Sequence, residues 1–285
     1  MLLKGKPVAD KIKEEIVAAI EKRREAGEVP PKVALVRVGE NPDDMAYEGR
    51  IVKNCLDLGF VAETVLISGG VSTEELITAL RRLNADAGVH GILLFRPLPP
   101  QFDVKAVSKE IKAEKDIDSM SPVNLAKVTA GDKSALAPCT PEAVVELLRH
   151  YYGDLGGKNI VVVNRSLVLG KPLAMLLLSE NATVTLCHSK SENLPDITSR
   201  ADIVVTGVGK AKFFGSEFFS EKSIVIDVGI NFQDGKMCGD VDTEAVEPKV
   251  RDISPVPGGV GTVTSMILLR NALKGMRLQE AENNG

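Results

Sequence analysis

The stretch that most constrains this chain runs from Ile160 to Pro172, Ile-Val-Val-Val-Asn-Arg-Ser-Leu-Val-Leu-Gly-Lys-Pro. Ile160 to Val163 are apolar and mostly β-branched, which predicts a strand buried on both faces of a sheet. A polar turn, Asn164-Arg165-Ser166, leads through Gly170 and Pro172 into an apolar helix. Strand, turn and helix in that order aim the free N–H groups and positive dipole end of the helix at an anion, as dinucleotide-binding sheets do. The turn is not G-x-G-x-x-G, so taken alone the unit serves equally as plain α/β scaffold.

The residues after Pro172 favour cofactor binding. Ala182 to Cys187 reads as a second buried strand. It ends in His188-Ser189-Lys190, close to where such folds present the residue that reads the adenine ribose. An NAD-reading site usually places Asp or Glu there. This chain offers a hydroxyl, a cation and, from the first turn, Arg165, donors that suit a 2′-phosphate and favour NADP over NAD. NAD stays open, because Arg165 would hold an inorganic phosphate beside NAD as readily. Two further strands, Asp202 to Thr206 and Ile224 to Val228, run into Gly207, Gly209 and Gly229, where backbone can approach a ligand.

Composition sets the outer bounds. With 285 residues and 44% apolar content, the chain can fill one large or two medium cores. A net charge of −4 with interspersed signs argues against nucleic acid or an anionic membrane as partner. No apolar run approaches a membrane span, and Met-Leu-Leu-Lys-Gly-Lys is no export signal, so a soluble cytoplasmic protein is expected. Cys55, Cys139, Cys187 and Cys238 are far apart and lack C-x-x-C spacing, which fits reduced thiols. His90, His150 and His188 form no metal-binding pattern, and no metal is expected. Glu280 to Gly285 reads as a fraying tail.

The first half alternates helices and strands. Helix Lys4 to Ala26 has Ile12, Ile16, Val17 and Ile20 on its apolar side. Strand Lys32 to Val38, helix Asp43 to Leu58, strand Val61 to Leu66, helix Ser72 to Asn84, strand Gly91 to Phe95 and helix Val104 to Ile111 follow. The alternation predicts a second parallel α/β layer. Thr140 is the expected N-cap, with Pro141 in the first turn, of helix Glu142 to Tyr152. Ser254 to Thr264 reads as a rigid glycine-opened loop before a last helix, Ser265 to Leu278. The division expected is 1–139 with the C-terminal helix 265–285 as a catalytic domain, and 140–264 as an NAD(P)-binding domain.

Tyr47, Pro97-Leu98-Pro99, Lys115-Asp116-Ile117-Asp118, Pro138-Cys139-Thr140-Pro141, Arg165-Ser166 with Gly170 and Pro172, Cys187-His188-Ser189-Lys190, Asp227-Val228-Gly229-Ile230-Asn231, Gly239-Asp240-Val241 and Pro255 to Gly261 occur in this order. Together they resemble the methylenetetrahydrofolate dehydrogenase/cyclohydrolase family over essentially the whole chain. The resemblance implies two α/β domains with a catalytic cleft between them, the second a Rossmann-like doubly wound parallel sheet, and a homodimer formed through the nucleotide domains. It implies hydride transfer from 5,10-methylenetetrahydrofolate to NADP, with tetrahydrofolate as the carrier, followed by hydrolysis of the methenyl product to 10-formyltetrahydrofolate. The catalytic candidates are then Tyr47, a flat face and hydroxyl, and Asp118, an acceptor for the pterin's amino-pyrimidine edge. Pro257, Gly258 and Gly259 join them as a substrate-binding backbone wall. Asn164, Arg165, Ser166, Gly170, Ser189 and Ile230 are the cofactor-binding candidates.

This chain departs from the family pattern where the second step is done. The family's lysine, four residues after the tyrosine, is Ile51 here, and its glutamine before Pro-Leu-Pro aligns with Phe95. At about 100° per residue Lys53 lies on another helix face than Tyr47, and Arg50, on a nearer face, stays protonated and makes a poor base. Hydrolysis needs a placed water and a group to manage its proton, help worth about 10²–10⁴-fold. Hydride transfer asks mainly for orientation and dryness. The expectation is an NADP-dependent dehydrogenase with weak or absent cyclohydrolase activity. The alternatives are the bifunctional enzyme and a non-catalytic folate- or nucleotide-binding relative. Other departures are Asn164 for glycine, Ser119-Met120 for Gly-Phe, Thr262-Val263 for Pro-Met and Asp44 for serine.

Overall fold

The computed structural model describes residues 1–283, which form two compact units. The N-terminal unit comprises Ile12–Ala137 and the chain from Ile267 onward; the C-terminal unit comprises Pro138–Met266 and also Met1–Lys11. The opening residues, expected with the first half, sit with the second because their backbone pairs there. Leu2 bridges Ile253, the Leu3 amide donates to the Ile253 carbonyl at 2.8 Å, and the Gly5 amide donates to the Gly258 carbonyl at 2.8 Å. These bonds satisfy a strand edge that would otherwise be open.

The chain opens with α1 (Lys6–Glu25), β1 (Lys32–Val38), α2 (Pro42–Asp57), β2 (Val61–Ile67), α3 (Thr73–Ala85), β3 (Gly91–Leu94), α4 (Val104–Glu110) and α5 (Pro122–Thr129). The three strands form a parallel sheet in the order β2-β1-β3. Central β1 is buried from Val33 to Val38, while edge β2 is mostly exposed or half-buried. The helix starts follow local chemistry. Asn41 Oδ1 accepts from the Asp43 amide at 2.9 Å with Pro42 in the first turn of α2, and Ser72 with Glu75 forms a capping box on α3. Ala34, Val36, Leu76, Leu80, Ile92 and Leu94 lie at the heart of the core these elements share. Short α5, started by Ser121 and Pro122, is not among the expected elements.

The second half runs α6 (Cys139–Tyr152), β4 (Asn159–Val163), α7 (Gly170–Ser179), β5 (Thr183–Cys187), α8 (Leu194–Ser199), β6 (Ile203–Thr206), β7 (Ile224–Asp227), β8 (Asn231–Gln233), β9 (Lys236–Cys238), α9 (Thr243–Val246), β10 (Asp252–Ile253) and α10 (Val260–Asn283). Five strands form a parallel sheet in the order β10-β7-β6-β4-β5, and β8 and β9 make a small hairpin. Strand order grows outward in both directions from β4 and β6, the Rossmann-like doubly wound arrangement, and it reverses between those two strands. Val161, Val163, Val204, Phe214, Val225 and Ile253 belong to the core of this unit.

Four expectations need correction. Thr183–Cys187 is not a buried strand: β5 ends the sheet and is largely exposed along its length, Cys187 excepted. Thr140 is not the N-cap of α6, because the helix already begins at Cys139. There the Pro138 carbonyl accepts from the Glu142 amide at 3.1 Å, and Pro141 keeps its first-turn place. The glycine loop ends at Gly259, since α10 already begins at Val260 and takes in Gly261 to Thr264. The expected tail is helical as far as Asn283, where Arg23 holds Glu280 at 2.6 Å; residues 284–285 lie outside the described residues. Among the described residues no helix is long and apolar enough to cross a membrane.

Candidate active site

In the C-terminal unit the sheet register places the strand ends level. Val163 pairs with both Cys187 and Thr206, and Thr206 pairs with Asp227. The turns after β4, β5, β6 and β7 therefore all leave from one edge, with the order reversal between β4 and β6 at its centre. In open α/β sheets ligands bind in the crevice outside the carboxyl ends of the strands, where the strand order reverses.

Asn164 organises the crevice. Its Oδ1 accepts from the Ser166 amide at 2.7 Å, the Ser166 hydroxyl at 2.8 Å and the Gly170 amide at 3.0 Å. Its Nδ2 donates to the Gly207 carbonyl at 2.5 Å, tying the β4 turn to the β6 turn. Gly170 has to be glycine, because a Cβ there would run into the Asn164 carbonyl. The cofactor-binding candidate Asn164 thus spends its amide on the loop itself, while Arg165 and Ser166 remain exposed. The Ser191 hydroxyl accepts from the His188 amide at 2.9 Å and the His188 ring from the Lys190 amide at 3.1 Å, which holds Ser189 and Lys190 outward on a tight turn. Ile230 is 61% exposed.

Two buried carboxylates from the Asp227-Val228-Gly229 and Gly239-Asp240-Val241 motifs, for which no role was expected, hold the neighbouring loops. Asp240, with no exposed surface, accepts from the amides of Val208, of Gly209 at 3.0 Å and of Lys210 at 2.9 Å, and from Asn231 Nδ2 at 2.9 Å. Asp227 accepts from the amides of Gly229 at 2.9 Å, Asp240 at 3.1 Å and Val241 at 2.9 Å. Burial pushes the Asp227 carboxyl up to about 6, its backbone donors pulling the other way and nearby Asp240 adding to the rise. The only hint in sequence was an acid closing an apolar strand. Pro257 and Gly258 are exposed and Gly259 is buried; Gly258 takes φ 103°, a value that favours glycine.

A dinucleotide fits this edge. The strand order reverses there, the turns are glycine-lined, and Arg165, Ser189 and Lys190 leave the same side with cationic and hydroxyl donors, while the Ser166 hydroxyl and the Gly170 amide are spent on Asn164.

The N-terminal unit carries a different cluster. Tyr47, half-buried on α2, meets Phe95 edge to face with ring centroids 5.8 Å apart and planes at 81°. The Arg50 guanidinium lies 5.5 Å from the Tyr47 centroid. Ile51 is 1% exposed and Phe95 5% exposed, so both side chains are packed away, while Lys53 is exposed. Beside Tyr47, Glu48 pairs with buried Arg37 at 2.7 Å and accepts from the Thr64 hydroxyl at 2.9 Å. Half-buried Asp44 has its carboxyl raised by burial, against the pull of Arg37.

The Lys115-Asp116-Ile117-Asp118 motif divides its labour. Lys115 Nζ donates to the carbonyls of Leu83, Asn84 and Asp86 at 3.1, 2.9 and 2.7 Å, closing the end of α3. Asp116 accepts from the Met120 and Ser121 amides at 2.9 and 2.7 Å and from Asn124 at 3.3 Å; burial pushes its carboxyl up to about 6 against those donors. Asp118 is left partly open, its side chain 30% exposed, and pairs with Arg96 Nη2 at 2.7 Å. Arg96, directly after the buried strand residues, drew no attention in sequence; a cation at the end of an apolar strand was the available signal. Next to Asp118, Ser119 holds φ 54° with its buried hydroxyl unpartnered.

The fold and these clusters define a two-unit α/β protein whose C-terminal sheet is of the dinucleotide-binding class. Comparison with known proteins gives the family. Residues 3–118 match the model of the tetrahydrofolate dehydrogenase/cyclohydrolase catalytic domain, and residues 138–280 that of its NAD(P)-binding domain. The chain belongs to the tetrahydrofolate dehydrogenase/cyclohydrolase family. It is similar to bifunctional protein FolD 1 of Desulfitobacterium hafniense, 50% identical over 282 residues that cover 98% of this chain and 99% of that one. Among solved structures it is similar to the bifunctional FolD enzyme of Campylobacter jejuni, at TM-score 0.94 and 36% identity, covering 98% of this chain and 99% of that one. It also resembles the Trypanosoma brucei dehydrogenase-cyclohydrolase complexed with NADP cofactor and inhibitor, at TM-score 0.90 and 32% identity, covering 98% and 97%.

Proposed function

We propose that this chain oxidises 5,10-methylenetetrahydrofolate with NADP and, like the relatives named bifunctional, also hydrolyses the methenyl product to 10-formyltetrahydrofolate. The observation that carries this reading is that its two halves match the two domains of the family while Tyr47 and Asp118, the folate candidates, remain partly accessible. NADP supplies the hydride acceptor. Arg165, Ser166, Ser189 and Lys190 would hold it, with Gly170 shaping the turn that carries the first two and Ile230 offering an exposed apolar face. Tyr47 offers the folate a flat face, Asp118 an acceptor, and Pro257 to Gly259 a backbone wall. The open edge of β5, with Leu186 37% exposed, supports association of two copies through this unit.

A second reading rests on Ile51 and Phe95. Both are apolar and buried, and neither can take a proton, so the expectation of a dehydrogenase with weak hydrolysis stands against the relatives' names. In the bifunctional reading Arg50, placed over Tyr47, is the nearby cation available to orient water. One time course decides between them. Purified protein is given methylenetetrahydrofolate and NADP, with NADPH and methenyltetrahydrofolate followed separately, beside a sample supplied with methenyltetrahydrofolate alone. Formation of NADPH with accelerated methenyl decay supports the bifunctional enzyme. NADPH with methenyl decaying only as in buffer leaves the dehydrogenase alone, and absence of NADPH sinks both.

A further inference from the structure

We infer that Arg96 is a specificity-determining residue for the folate ring, reading the ring carbonyl while Asp118 reads its donors; the inference rests on the folate reading above. The pair is preformed: Arg96 Nη2 and Asp118 Oδ2 stand 2.7 Å apart, with side chains 27% and 30% exposed, so each is held yet open on one side. The neighbouring acid of the motif cannot share the task, because Asp116 is 1% exposed and taken up by the Met120, Ser121 and Asn124 donors. Lys115 is likewise spent on three carbonyls.

A 2-amino-4-oxopyrimidine edge presents two donors, the 2-amino group and N3–H, and then one acceptor, the 4-oxo oxygen. A carboxylate alone answers the donors and repels the acceptor. A guanidinium beside it corrects the mismatch, since it carries five N–H donors in one plane and only one nitrogen is engaged with Asp118. The pair then offers acceptor and donor side by side, as the ring edge requires. Phe95, one residue before Arg96 and stacked edge-on to Tyr47, fixes where the strand end delivers the guanidinium. A 4-amino analogue puts a donor opposite the guanidinium and, because its N3 carries no hydrogen, an acceptor opposite the carboxylate, so the wild-type preference has two sources and the part lost in an Arg96 variant is the guanidinium's.

The test is direct binding, by calorimetry in the presence of NADP, of tetrahydrofolate and of its 4-amino-4-deoxy analogue. Wild type is expected to prefer the 4-oxo ligand by about tenfold or more, and Arg96→Leu to reduce that preference to about threefold or less. Arg96→Lys keeps a cation but loses the planar fork, and its preference is expected to fall between the two. In kinetics both variants should raise the KM for methylenetetrahydrofolate more than they lower kcat. A merely structural role would weaken both ligands alike. An unchanged preference in either variant, or no preference in wild type, overturns the assignment to Arg96 and leaves the folate reading standing. Failure of wild type to bind tetrahydrofolate at all overturns the folate reading itself.

Discussion

The turn after β4 and the helix α2 after β1 each follow a buried parallel strand, yet they hold their residues in different ways. Around the turn, side chains serve backbone: Asn164, Asp227 and Asp240 between them accept from eight backbone amides, those of Ser166, Gly170, Val208, Gly209, Lys210, Gly229, Asp240 and Val241. Around α2, side chains meet side chains: Tyr47 with Phe95, Arg50 with Tyr47, Arg37 with Glu48. Close by, Arg96 pairs with Asp118. A backbone network fixes the shape of a loop, so substitutions in it change whether the loop exists. A side-chain cluster fixes which chemical groups are presented, so substitutions in it change the chemistry and leave the fold. The departures at Ile51 and Phe95 are of the second kind, and the sheet and core are intact around them.

The largest effect expected from breaking this contrast is at Asp240. Asp240→Ala removes the acceptor of three backbone amides and of Asn231, and should cost about 3 kcal/mol or more in urea unfolding while weakening NADP binding about tenfold or more. A loss of NADP affinity with no loss of stability would show that the network is a ligand site and not a scaffold. Next comes Ile51→Lys, which buries an ammonium at a 1% exposed position and should cost about 2 kcal/mol by thermal or urea unfolding. Its methenyl hydrolysis rate carries the sharper information. A gain of about 10²-fold or more would favour the dehydrogenase-only reading of the wild type, and little change would favour the bifunctional one.

A smaller effect concerns pH. The Asp116 carboxyl is raised to about 6 from an unfolded value of 3.8, so between those values the folded chain holds more protons than the unfolded one. The contribution of this group to stability is therefore fully present below pH 3.8 and is lost as pH rises through 6. The stability of wild type minus that of Asp116→Asn, measured by urea unfolding, should be greatest near pH 4 and shrink toward pH 7. A gap that widens toward pH 7 would reverse the assignment. Smallest is Ser119→Gly, which relieves a φ of 54° and removes an unpartnered buried hydroxyl; it should stabilise by about 0.5–1 kcal/mol in thermal unfolding. It touches the residue beside Asp118 and should leave the pair with Arg96 in place.

Much was legible from local pattern alone. Strand Lys32–Val38 matches its expected bounds, and β4, β6 and β7 fall within a residue of theirs, because β-branched apolar runs bounded by turn residues read the same in any context. The glycine at 170 and the polar turn before it pointed to the crevice. Short elements read unevenly: seven-residue α4 was legible, whereas α5, α8, α9 and the β8–β9 hairpin were not. The exposure of β5 differs from expectation for another reason. Thr-Val-Thr-Leu-Cys has the composition of an interior strand, and only the order of strands in the sheet makes it an edge.

What the sequence by itself determined was an alternating α/β chain, the nucleotide turn, and the chemical groups present or missing at 47, 51, 95 and 118. Those follow from residue type and near neighbours, which the linear order states outright. Only the tertiary structure decided that Met1–Lys11 joins the C-terminal unit, that Asn164 spends its amide on the loop, that Asp116 is buried while Asp118 stays open, and that Arg96 is its partner. The Arg96–Asp118, Asn164–Gly207 and Leu2–Ile253 pairings join residues from 22 to about 250 positions apart, and a pairing at such distance depends on which strands lie side by side. Spacing along the sequence carries no such information until the sheet is assembled.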